Sequence, residues 1–287
     1  LGCWGIGDFL IQRSARKFGD WIALFFITAF ASIVLLPFVW NDLITLEVKS
    51  FEFLILIIAS LVLLIAGLLD FEALRVGKIS VVEPIYALEM LITTFLAAIL
   101  IHEKLTLLQY TTIGFLIFGI FLISTKSFHH FKNIHLEKGV WLAVLAMVGM
   151  GSITFLFGVG AREASPLLIN WFTSAFVAVA ALIYLASQKR LPEIIIDWQK
   201  NKKLILSVSV VDNLAWVAFA FGTTYAPIAI VAGISETYIV LASALGLIFN
   251  KEKLQKHQWI GFVITVIAAV VLTLSTNWQE IPELPKI

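Results

Sequence analysis

Runs of about 20 apolar residues recur along almost the whole chain, and that is the length an α-helix needs to cross a hydrocarbon core roughly 30 Å thick. With that template the sequence divides into ten segments, at 1–12, 19–40, 51–71, 79–101, 107–125, 139–161, 165–187, 203–224, 226–249 and 257–276. Inside lipid every backbone N–H and C=O must be satisfied within its own segment, so runs of this kind fold as helices. Composition agrees: 60% of the 287 residues are hydrophobic, 14% are charged, and the mean hydropathy is +0.98. These values lie outside the range of water-soluble domains, and an all-α integral membrane protein with ten transmembrane helices is expected. The chain begins within an apolar run, so the first segment reads as the truncated remainder of a span. Trp21 and Trp40, and again Trp259 and Trp278, bracket helices at a separation worth about 28 Å of rise, as interfacial aromatic belts do.

Charge sets orientation and excludes partners. Loops after the odd-numbered segments carry Arg13, Arg16, Lys17, Arg75, Lys78 and eleven further basic residues out to Lys256, whereas the opposite side carries only Lys49, Lys104, Arg162 and Lys286. The positive-inside rule then makes the odd loops cytoplasmic and puts both termini outside. A formal net charge of +1 with scattered Lys and Arg suggests neither a nucleic-acid surface nor a polybasic lipid patch. Cys3 is the one cysteine, so there is no disulfide framework or cysteine-rich zinc site.

An internal repeat is legible. "EKLTLLQYTTIGFLIFGIFLIST" from Glu103 resembles "EKLQKHQWIGFVITVIAAVVLTLST" from Glu252, in register at Glu103/Glu252, Lys104/Lys253, Leu105/Leu254 and Gln109/Gln258. The chain therefore reads as two five-helix halves, residues 1–126 and 138–276, followed by a short polar tail at 277–287. Because five is odd, the second half must enter the membrane inverted, and the basic loop after segment seven opposite the poor one after segment two agrees. Two inverted five-helix repeats are the signature of secondary transporters, with substrate bound near the midplane between the halves.

The Trp4-Gly5 pair in the first segment, the Glu-Lys-Leu followed by Gln109 or Gln258, and the glycine-spaced helix after each resemble the duplicated EamA domain of the drug/metabolite transporter superfamily. This resemblance covers essentially the whole chain. It implies ten helices in two inverted repeats and movement of small organic solutes, often export of amino acids, metabolites or drugs. It also implies cytoplasmic termini, against the charge count above, and a plasma-membrane location, the inner membrane if the source is bacterial. Where the family often has proline near the middle of helices four and nine, this chain has Glu89-Met90 and Tyr238-Ile239.

Acids at membrane depth are the candidate site. A carboxylate at a helix centre costs roughly 2.5–3.5 kcal/mol on insertion, so such groups usually face a cavity or the protein interior. Glu89, Asp212 and Glu236 each lie about halfway along their segments. Asp8 belongs to the truncated first segment, while Asp70, Glu72 and Glu83 lie near segment ends and are expected to be solvated. If helix four begins at Pro84 instead, Glu83 and even Glu89 come close to the interface. All twenty basic residues lie in loops or at helix ends, so a midplane carboxylate has no built-in cation. Two mechanisms follow: Glu89 or Glu236 carries a coupling proton released as substrate binds, or the acids contact the amine of a cationic or zwitterionic solute. The structural alternative is an acid hydrogen-bonded to a hydroxyl such as Thr93. Trp4 and Asp8 sit four residues apart on one helix face, as do Asp212 and Trp216 with Asn213 adjacent, and Asn170 lies beside Trp171. An aromatic face beside a carboxylate suits an organic cation or the body of an amino acid.

No Ser/His/Asp grouping, zinc-protease spacing or phosphate-binding glycine loop is present, so no catalytic residue, cofactor or metal site is assigned. His129, His130 and His135 share one loop and read as solvated. The alternative to a transporter of a small-molecule substrate is a membrane-embedded receptor or enzyme that moves no solute.

Overall fold

The computed structural model describes residues 2–47, 50–101, 107–127, 135–225, 228, 231–232, 235 and 238–275. These form α1 (Gly2–Phe18), α2 (Asp20–Thr45), α3 (Phe51–Val76), α4 (Ile79–Tyr86), α5 (Leu88–Ile101), α6 (Leu107–Ser124), α7 (Val140–Glu163), α8 (Pro166–Ser187), α9 (Leu191–Tyr225), α10 (Tyr238–Phe249) and α11 (Lys256–Ser275). The fold is all-helical apart from β1 (Thr125–Ser127), which pairs antiparallel with β2 (His135–Leu136) in the link between the two halves. Among the described residues, α2, α3, α7, α8 and α9 are long and apolar enough to cross a membrane. Their outer faces carry bare apolar side chains, with Ile33 74% and Ile183 64% exposed. In water such a surface would aggregate; in lipid it is the solvated face.

Local chemistry explains most helix ends. Ser50 caps α3 by accepting from Phe53 N at 3.1 Å, and Ser165 caps α8 by accepting from Leu168 N at 3.0 Å, with Pro166 in the first turn where its missing N–H is harmless. Gly139 precedes α7 at φ 85°, and a Cβ there would stand 2.8 Å from the Ala73 carbonyl oxygen, so both conformation and space demand glycine.

Two departures from the expected segments matter. The fourth is not one helix: its ladder is interrupted at Ala87, three residues beyond Pro84, which lies inside α4. Glu89 consequently falls in the first turn of α5, near the positive end of that helix dipole. The alternative start at Pro84 is also overturned, because helix already runs from Ile79 and every residue of α4 is buried. In α9, Asn201 breaks the helical dihedrals (φ −128°, ψ 16°), so a separate stretch, "LPEIIIDWQK", precedes the span that sequence places at 203–224. That stretch was too short and too charged for a transmembrane template.

Helix pairing has a two-fold logic. α3 packs on α7, as α9 packs on α1; α5 packs on α7, as α10 packs on α1; α2 meets α8 and α6 runs along α11. Exchanging α1–α6 for α7–α11, with α4 and α5 together set against α10, maps each of these pairs onto another or onto itself. The largest apolar core joins α1–α4 to α7, α8 and α9, and a second core clusters around Leu56, Ile153, Phe157 and Phe219.

Candidate substrate cavity

Between the halves lies a cavity of about 80 Å3, measured as space open to the centres of water molecules. At roughly 10–15 Å3 per held water, this is room for about five to eight waters, or a solute with a comparable number of heavy atoms. Its wall draws on α1, α2, α3, α4 and α5 from one half and α7, α8, α9 and α10 from the other.

Four carboxylates face it. Asp8 of α1 and Asp212 of α9 are each 7% exposed, Asp70 of α3 is 4% exposed, and Glu89 of α5 is half-buried. The Glu89 carboxylate accepts a short hydrogen bond from the Thr154 hydroxyl of α7. Thr93, the partner that sequence suggests, instead donates to the backbone carbonyls of Glu89 and Gly151, both at 3.0 Å. Helices α5 and α7 approach closely here because residue 151 is glycine; a Cβ at that position would lie 2.6 Å from the Glu89 carbonyl oxygen. Asp70 corrects the expectation of a solvated helix-end acid. Helix α3 continues to Val76, which carries Asp70 more than a turn inside, and its Oδ1 is buried without a hydrogen bond among the described residues. Glu83 is likewise fully buried, whereas Glu72 does meet the surface and pairs with Arg75 at 2.5 Å.

An aromatic wall faces these acids. Trp4 and Trp216 meet edge to face with centroids 5.6 Å apart, Phe157 lies 4.8 Å from Trp216, and Tyr238 lies 6.0 Å from Trp4. The i,i+4 spacing of Trp4 with Asp8 and of Asp212 with Trp216 delivers each acid and its ring to one helix face. Asn170 and Asn213 also line the cavity but spend their amide donors on structure: Asn170 Nδ2 donates to Pro166 O at 2.7 Å, and Asn213 Nδ2 to Ile27 O at 3.0 Å and Ser209 O at 2.8 Å.

The structure thus brings together Trp4, Asp8, Glu89, Asn170, Asp212, Asn213 and Trp216. Glu236, with Pro227 and Trp278, lies outside the described residues, as do His129 and His130. Sequence reasoning passed over Asp70, Tyr86 and Tyr238. The signal for Tyr238 was available: when the two Glu-Lys-Leu motifs are aligned, it occupies the place of Glu89 in the first half.

A polar network ties the two halves together beside Arg16, Arg75 and Lys78. Glu252 of the second Glu-Lys-Leu motif reaches across to the start of α4, accepting from Ile79 N at 3.1 Å, Ser80 N at 2.9 Å and the Ser80 hydroxyl at 2.6 Å. Lys78, at the cap position of α4, provides no capping side-chain bond, so the cap comes from the other half. Asn250 Nδ2 donates to Gln12 Oε1 at 2.6 Å, and Gln12 Nε2 donates to Leu74 O at 3.0 Å and Gly77 O at 3.3 Å. Gln258 accepts from Gln255 N at 2.9 Å and donates to Ile123 O at 3.1 Å, joining α11 to α6. The second copy of the motif is thus a tie between halves, while Glu103, Lys104 and Leu105 of the first lie outside the described residues.

Fold and cavity together define a multi-pass helical membrane protein with a polar, aromatic-walled chamber at its centre. Residues 2–125 and again 137–274 match the model of the EamA-like transporter family. The two matches span nearly the whole chain, which therefore belongs to that family of membrane transporters. A solved crystal structure aligns with 94% of this chain and 95% of its own at a TM-score of 0.60 and 13% identity, a likeness of fold alone. No curated protein matches the sequence.

Proposed function

We propose that the protein is a secondary transporter that carries a small organic solute across the plasma membrane by alternating access, with ten spans in two inverted five-helix repeats at residues 1–126 and 138–276. The observation that carries this reading is the central cavity, which neither half builds alone and whose acids come from four different helices. Two-fold helix pairing supports the repeat, and the interruption at Ala87 beside Glu89 resembles the discontinuous helices that form binding sites in such proteins. Trp4, Asp8, Glu89, Asn170, Asp212, Asn213 and Trp216 are the site, with Glu236 added from sequence. Glu89 is the candidate for proton coupling, since its carboxylate touches both the cavity and the Thr154 hydroxyl of the opposite half. The side bearing Arg16, Arg75 and Lys78, where Glu252 ties the halves, is the cytoplasmic face.

Uptake tests this reading. Proteoliposomes would be offered amino acids, amines, sugars, nucleosides and phosphorylated metabolites, and their contents read by mass spectrometry. Accumulation of at least one compound, lost in Asp212→Asn, is expected. Absence of uptake across the panel, with a ligand bound or a lipid product formed, would favour the receptor or enzyme reading.

A further inference from the structure

The cavity wall is rich in acceptors and poor in donors. Thr28 donates to Leu24 O at 2.7 Å, Thr173 to Ile169 O at 2.8 Å and Ser235 to Ala232 O at 2.6 Å. Asn213 has likewise committed both amide N–H groups, and Asn170 one of its two, to backbone carbonyls. Apart from Ser174 and the O–H and N–H groups of the tyrosine and tryptophan side chains, what remains facing the space is carboxylate oxygen and the faces of aromatic rings. Among the described residues no Lys, Arg or His lines it, and every basic residue of the full sequence sits in a loop or near a helix end.

A solute that brings a carboxylate or phosphate would meet negative charge and few free donors there, in surroundings where an unpaired buried charge is costly. A solute that brings positive charge meets the reverse. Asp70 Oδ1 is a fully buried acceptor with no partner among the described residues, on a side chain more than nine-tenths buried. The space also argues about the shape of the charge. No three His, Cys, Asp or Glu side chains among the described residues stand close enough to hold a metal ion; the acids are distributed around the wall instead. That spacing suits a positive charge spread over several atoms, set against the Trp4 and Trp216 rings, which attract cations through their π faces.

We propose that the cavity binds a small organic ammonium cation, with Asp70 and Asp212 as its counter-charges and Trp4 and Trp216 as its wall. This rests on the reading of the cavity as the solute site, and it narrows the solute from any small organic molecule to one of about five to eight heavy atoms with net positive charge.

Choline and putrescine are the probes, read by thermal stabilisation of the purified full chain in detergent. Two controls keep the shape of choline and change its charge: 3,3-dimethylbutan-1-ol is neutral and glycine betaine is zwitterionic. At least one of the two cations should stabilise the protein, with a half-saturating concentration roughly tenfold or more below that of either control. Asp70→Asn and Asp212→Asn should each abolish that preference, and because the controls are read on the unmodified protein, a variant that fails to fold does not remove the test. Stabilisation by the alcohol or betaine equal to that by choline would overturn the proposal, as would no stabilisation by either cation. Cation binding without any uptake in proteoliposomes would sink the transport reading and leave the cation site standing. Uptake of a neutral or anionic solute without cation binding would do the opposite.

Discussion

Removing the Glu252 carboxylate strips α4 of its cap and unties one half of the molecule from the other. The Glu252→Ala variant loses four hydrogen bonds at once, three of them from Ile79 N, Ser80 N and the Ser80 hydroxyl at 2.6–3.1 Å and one from Asn250 Nδ2 at 3.3 Å. Hydrogen bonds to a charged group contribute roughly 1.5–3 kcal/mol each and an N-cap about 1 kcal/mol net, but water that enters on opening recovers part of this, so about 2–3 kcal/mol is expected to be lost from the closed arrangement. Such a loss favours the open arrangement by roughly 30- to 150-fold, at about 1.4 kcal/mol per decade. Ser14 reports on opening, since it lies on α1 beside the network and is fully buried. With Cys3 replaced by serine, a Ser14→Cys thiol should react slowly with N-ethylmaleimide in the parent and at least tenfold faster once Glu252 is alanine. Glu252→Gln, which keeps one acceptor oxygen, should fall between them. Equal labelling rates in all three would refute the idea that this contact holds the two halves together.

Three further outcomes follow from the site. Glu89→Gln preserves shape and the Thr154 contact, so its melting midpoint in detergent should stay within a few degrees of the parent while uptake falls at least tenfold; normal uptake would remove Glu89 from the coupling step. Thr154→Val should leave the cavity lined as before but lower uptake by a smaller factor, because it withdraws the hydroxyl that holds the Glu89 carboxylate; uptake unchanged from the parent would make that contact structural only. Gly151→Ala forces a Cβ to within 2.6 Å of the Glu89 carbonyl oxygen and of Ile92 Cβ, and overpacking of this kind costs about 1–3 kcal/mol. A lowered melting midpoint checks it, and an unchanged one would mean that α5 and α7 can separate freely.

Much of this architecture was legible because membranes leave few options. Apolar length located the helices, and i,i+4 spacing placed Trp4 with Asp8 and Asp212 with Trp216 before any coordinates. Asp70 was lost by a few residues: a span ended at 71 makes it a terminal acid free to reach water, whereas the helix runs to Val76 and holds it inside. The interruption at Ala87 was hidden because Pro84 fits equally well a first-turn position, and only packing of the preceding turn decides. The stretch before Asn201 escaped a template tuned to apolar length. Glu252 and Gln258 were visible as a repeat, yet their work is done on α4, α6 and the interhelical link, contacts distant in sequence that no local pattern records.

Alternating access makes one demand that neither a receptor nor an open pore meets, and counterflow measures it. Proteoliposomes preloaded with an unlabelled mixture of amino acids, amines and other metabolites would be diluted into trace amounts of the same mixture in isotope-labelled form, with vesicle contents followed by mass spectrometry. Transient accumulation of at least one labelled compound above its external concentration, absent in Asp212→Asn, is the result expected of a carrier whose cavity opens to one side at a time. Simple equilibration without an overshoot, or no entry of any compound, would contradict it.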